Sequence, residues 1–159
     1  MKVVVTIKMD KELLKQWVEN YRERDCLLTD GGFKSAHAIG RDTVIGDEYI
    51  DKHFQFLRKL AALCLLTLKK QKTISKIVTS YSLKHKYERI TGYICNGMMI
   101  LALTLAGFHC KPNTYSGTNT GFACKADYSL LFEQNPAGRE AEKILFEMFT
   151  DSNPYYSKT

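Results

Sequence analysis

The sequence predicts an α+β fold dominated by helices: a central helical bundle with an N-terminal strand and a small β-hairpin. Three observations carry this expectation. Apolar residues recur at helical spacing through the middle of the chain. A β-branched run, Val3-Val4-Val5-Thr6-Ile7, stands near the start. Pro112, Asn113, Gly117, Asn119 and Gly121 punctuate residues 108–125 among Thr, Tyr, Phe and Cys. With 159 residues, 45% of them hydrophobic, the chain is expected to form a single domain over residues 1–159. Nine Tyr, eight Phe and one Trp are ample for a packed core and exclude a disordered or collagen-like chain.

Taken in order, residues 1–9 read as a short strand. Asp10 then stands at an N-cap position ahead of an amphipathic helix from Lys11 to about Arg24. Residues 29–47 are rich in Gly and Asp and read as a loop, longer than an idle connection and therefore either functional or mobile. A long helix is expected from Asp47 to about Lys70, because Ile50, Phe54, Leu57, Leu60, Ala61, Cys64 and Leu68 give it a wide apolar face. A second central helix is expected from Thr73 to about Ile90. A third, from about Tyr93 to Ala106, is apolar almost all round and belongs at the centre, with Gly107 as its stop. The hairpin follows over residues 108–125. A last helix over residues 138–150 presents Ala141, Ile144, Leu145 and Met148, and residues 151–159 form a tail.

Cys26, Cys64, Cys95, Cys110 and Cys124 are odd in number and widely spaced, the pattern of reduced core thiols. No basic start leads into an apolar run with a cleavage site, and residues 92–108 fall short of a bilayer span and contain Asn96. A cytoplasmic protein without a membrane association is expected.

Charge is the most informative feature. The chain carries a net +6, yet residues 53–111 hold ten Lys/Arg against one carboxylate, Glu88, while both flanks are slightly acidic. Surface helices usually mix signs to gain pairs one turn apart, so this bias calls for an anionic complement. The candidate nucleic-acid-binding residues are Lys69, Lys70, Lys72, Lys76, Lys84, Lys86 and Arg89, within a basic surface spanning residues 58–89. An acidic protein surface is the other partner this charge admits, and the same lysines also suit a solvated helix end.

On a straight second helix, an advance of about 100° per residue puts Ile74, Ile77, Val78 and Tyr81 on one core-facing stripe. The stripe continues to His85 and Glu88, with Lys84 at its edge. Lys84, His85, Glu88 and Asn96 are thus a candidate polar site. Either Lys84 and His85 bind an anionic group while Glu88 orients the imidazole or acts as a base, or Glu88 is a buried carboxylate neutralised by Lys84 or Arg89. The second reading is the simpler, since no nucleophile or cofactor loop accompanies the set; Ser82 is near only in sequence. Leu83, Tyr87 and Ile90 fall on the opposite side, so both sides are covered or the helix breaks near residues 80–82. His109, Cys110 and Cys124 lack a second close pair for a tetrahedral metal set, and the glycines match no phosphate-binding loop. No cofactor or metal is expected, and binding is favoured over catalysis.

Two stretches resemble known proteins. Residues 5–14, VTIKMDKELL, resemble the start of ribbon–helix–helix DNA-binding proteins, which implies base contacts from Thr6 and Lys8, although the family's second helix does not follow. The string Ser82-Leu83-Lys84-His85, Glu88, Tyr93, Asn96-Gly97, Gly107-Phe108 and Pro112-Asn113 resembles small accessory proteins of bacterial mobile elements such as phages, plasmids and integrative elements. That resemblance implies a context, action on DNA or on host defence proteins, and no catalytic residue.

Overall fold

A computed structural model of the chain describes residues 7–112 and 120–126, together with Arg139, Glu140, Lys143 and Phe149 in a C-terminal helix. The α+β, helix-dominated class is as expected. Most of the predicted first strand and the predicted tail lie outside the described residues, as does Thr6. Residues 7–10 precede the first helix without strand pairing, and Lys8 there is exposed.

Helix α1 spans Lys11–Arg22, and the Asp10 carboxylate accepts the Leu13 N–H at 2.8 Å, as an N-cap should. Its Trp17 and Tyr21 meet Phe33 edge-on or tilted, with ring centroids 5.8 and 5.2 Å away. Phe33 belongs to a hairpin within the segment expected to be a loop: β1 (Leu27–Thr29) pairs antiparallel with β2 (Gly32–Lys34) across Asp30-Gly31. The rest of that segment is stitched to the hairpin. Ile45 N–H donates to the Leu28 carbonyl at 2.8 Å. Asp30 N–H donates to the Thr43 carbonyl, and the Asp30 carboxylate accepts the Thr43 N–H in return, while Asp42 meets Thr29 and Lys34. Thr29, Gly32, Phe33 and Ile45 are buried, so the hairpin and the return through Ile45 pack inward while most of residues 36–44 remain exposed.

Helix α2 (Asp47–Thr67) ends three residues earlier than predicted, because Leu68–Lys70 turns into strand β3 and pairs antiparallel with β6 (Cys124–Ala126). Helical propensity in the Leu-Lys-Lys run yields to this tertiary pairing. Asp51 of α2 binds Lys11 and Lys15 of α1 at 3.3 and 2.8 Å. These contacts hold the Asp51 carboxyl below its ordinary range and the Lys15 ammonium above it.

Helix α3 spans Ser80–Thr91 rather than starting at Thr73. Thr79 is its N-cap in a reciprocal box with Ser82, which uses the Ser82 hydroxyl at the helix end. The residues before it and its first residue send backbone N–H groups to residues 120–123: Gln71 to the Ala123 carbonyl, Ser75 to that of Phe122 and Ser80 to that of Thr120. The expected core stripe is thereby overturned. Leu83, Tyr87 and Ile90 are buried, whereas Ile77 is 86% exposed. The Tyr87 hydroxyl hydrogen-bonds Thr67, tying α3 to α2 inside the core.

Helix α4 (Asn96–Leu105) buries all ten of its residues, packs against α1, α2 and α3, and stops before Gly107, whose φ of +89° suits glycine. Strand β4 (Cys110–Lys111) then pairs with β5 (Gly121–Phe122), as the expected hairpin requires. Of the last predicted helix, the four described residues are helical, and Phe149 stacks edge-on against Phe56 of α2 at 5.8 Å. Ala141, Ile144, Leu145 and Met148 lie outside the residues whose side chains are described. No helix among the described residues is long and apolar enough to cross a membrane.

All five cysteines are buried and free. Burial pushes the Cys26 and Cys64 thiols up, Cys110 to about 12 and Cys124 to about 11. A colorimetric disulfide reagent at pH near 8 is therefore expected to find no thiol reacting within minutes in the native protein and all five after denaturation. Fast reaction of any thiol in the native state would contradict this packing.

Candidate functional site

Three chain segments meet edge to edge beside the bundle. Residues 120–126 lie in the middle, with β4 on one side and residues 68–80 on the other, joined by β3–β6 pairing, the Thr79–Gly121 bridge and the bonds from Gln71, Ser75 and Ser80. Together with the turn at residues 107–109, these segments carry Lys69, Lys70, Lys72, Lys76, Lys111 and Lys125 and no carboxylate. All six lysines are exposed. Lys69 and Lys125 face each other across the β3–β6 ladder. Like charges directly opposite on a sheet oppose pairing, so this strip holds its charge at a cost in stability. Among the described residues, no carboxylate forms an ion pair with Lys70, Lys72, Lys76, Lys111 or Lys125.

Four of these lysines were legible in the sequence as a cluster. Lys111 and Lys125 join them only through the sheet, and Lys125 comes from the net-acidic C-terminal part of the chain. Lys86 and Arg89 sit further along α3, Lys86 half-buried and Arg89 exposed.

The polar set divides. Lys84 is only 7% exposed, and its ammonium hydrogen-bonds the Glu88 carboxylate one turn on. The other Glu88 oxygen is 3.7 Å from His85 Nδ1, and His85 is exposed. Asn96 acts elsewhere. Its Nδ2 donates to the Gly31 carbonyl at 3.1 Å, while Gly97 N–H donates to the Asp30 carbonyl at 3.1 Å. These two bonds dock the start of α4 on the β1–β2 turn. Lys84, His85 and Glu88 thus form one cluster, in which Lys84 is the nearly buried partner and the Glu88 side chain stays 24% exposed, and Asn96 serves the hairpin.

Among the described residues, no three His, Cys, Asp or Glu side chains gather as a metal-binding group would. An open cavity of about 480 Å³ lies at the start of α2, lined by Thr43, Val44, Asp47, Glu48, Tyr49 and His53. Burial and Lys52, which also lines the cavity, hold the His53 imidazole below its ordinary range, so the rim sets Asp47 and Glu48 against Lys52. No family model, curated protein or solved structure matches the chain.

Proposed function

We propose that this chain is a nucleic-acid-binding protein that takes phosphates on the six-lysine strip formed by residues 68–80, 107–112 and 120–126. The observation that supports this is the assembly itself: backbone pairing sets Lys125 opposite Lys69 and brings Lys111 alongside residues 120–126, so segments distant in sequence gather six exposed lysines without a carboxylate among them. Phosphates need positive charge in a row but no particular side-chain fork, which lysine alone supplies.

The test is fluorescence anisotropy with a labelled oligonucleotide of about 20 nucleotides, in single- and double-stranded form, between roughly 50 and 200 mM salt. Affinity is expected to fall steeply with salt. Changing Lys69, Lys70, Lys72 and Lys125 together to Gln is expected to flatten the log–log slope by about 3, at about 0.7 to 0.9 for each phosphate no longer neutralised. An absence of binding to either form at the lowest salt overturns the proposal, as does an unchanged slope in the quadruple variant. In that case an acidic protein becomes the partner to seek.

A further inference from the structure

The lysine-bearing residues 68–80 lead directly into α3, whose outward side carries two rings, Tyr81 and His85. Tyr81 stands edge-on to His85, with ring centroids 4.4 Å apart at 88°. His85 faces Glu88, Glu88 binds Lys84, and the Lys84 ammonium lies 4.8 Å from the centre of the Tyr93 ring. The result is an unbroken line of contacts from Tyr81 to Tyr93. Tyr81 is 41% and Tyr93 54% exposed, and exposed Ile77 lies between Lys76 and the start of α3. Large exposed apolar side chains are scarce elsewhere among the described residues, where only Leu13 and Val44 join them. Apolar surface concentrated beside a strong charge signals a ligand with both properties.

Within a duplex, base faces are stacked on one another and hidden, and only unpaired bases offer a π-face to a tyrosine. The strip also contains no Arg, the side chain most used to read guanine edges in the duplex groove. We infer, resting on the binding function proposed above, that the nucleic acid is single-stranded, with its phosphates along the lysine strip and its bases stacked on Tyr81 and Tyr93. His85 extends the Tyr81 platform. Lys84 lies against Tyr93 as a cation–π partner.

The experiment compares a labelled oligothymidylate of about 20 nucleotides with its duplex at one low salt concentration, using the native chain and the variants Tyr81→Ala, Tyr93→Ala, Tyr81→Phe and Tyr93→Phe. Thermal melts verify that each variant folds. The single strand is expected to bind at least about tenfold more tightly than the duplex. Each alanine variant is expected to weaken single-strand binding by roughly 5- to 150-fold, with an unchanged salt slope, while the phenylalanine variants bind nearly as the native chain does. Equal binding of both forms with indifferent tyrosine variants overturns the stacking inference and leaves the basic-strip reading standing. A single-strand preference that survives both alanine variants also overturns it. Binding to neither form removes both.

Discussion

Gly97→Ala is expected to destabilise the fold by about 3 kcal/mol, read as a fall in Tm of roughly 6–12 °C. A Cβ at this position would overlap the Thr29 carbonyl oxygen and lie 2.5 Å from Ile45 Cδ1. The opposing atom is backbone, so the hairpin as a whole would have to move. It is held in place by the bonds from Gly97 N–H and Asn96 Nδ2, both 3.1 Å. Helix propensity makes the opposite prediction, since alanine is better than glycine inside a helix by up to about 1 kcal/mol. The sign of the effect therefore decides between local preference and close packing. Gly46→Ser is the control. Gly46 is the N-cap of α2 with open space around it, and serine there is expected to add stability by a few tenths of a kcal/mol. A Gly97→Ala variant as stable as the native chain would show that α4 and the hairpin are not in tight contact.

This junction also shows where sequence reasoning reached and where it stopped. Helices α1 and α4 were legible because their signals are local: a capping Asp10, an apolar run and a terminal Gly107. The β1–β2 hairpin was hidden because three-residue strands show no periodicity, although Asp30-Gly31 between two apolar stretches marks the turn. Strand β3 has no local signal, and the late start of α3 is marked only by its Thr79 cap with Ser82, one of several Ser and Thr residues in residues 73–82. Both follow from pairing with residues 120–126, far along the chain. That same pairing decides the candidate site. The clustered Lys69, Lys70, Lys72 and Lys76 could be read from sequence, whereas Lys111 and Lys125 arrive through the sheet. Starting α3 at Ser80 also changes which side faces inward, so Tyr81 and His85, expected at the core, become the surface. The exposed aromatic row is a consequence of a helix boundary that the sequence pattern misplaced.

Glu88→Gln is expected to cost about 2–3 kcal/mol, because it leaves the nearly buried Lys84 ammonium without its counter-charge. Complete burial would cost more, but the Glu88 side chain is 24% exposed, so water takes part of the load. Lys84→Met is expected to cost only about 1 kcal/mol, since the carboxylate it abandons can turn toward solvent and methionine refills the space against Tyr93. The double variant is expected to be more stable than Glu88→Gln alone, giving a coupling energy of at least about 1 kcal/mol in a denaturant-unfolding cycle. Strict additivity would mean that the pair is not coupled through burial. Function separates the same variants in another way. Glu88 is the single carboxylate of residues 53–111, and its charge opposes phosphate binding along α3. Folded Glu88→Gln is therefore expected to bind a single strand at least as tightly as the native chain, despite its lower stability. Lys84→Met, which removes the cation lying over Tyr93, is expected to bind less tightly despite its smaller stability loss. Opposite orders of stability and affinity in these two variants would identify Lys84 as a support for the aromatic platform and Glu88 as a stabilising counter-charge that the platform does not need.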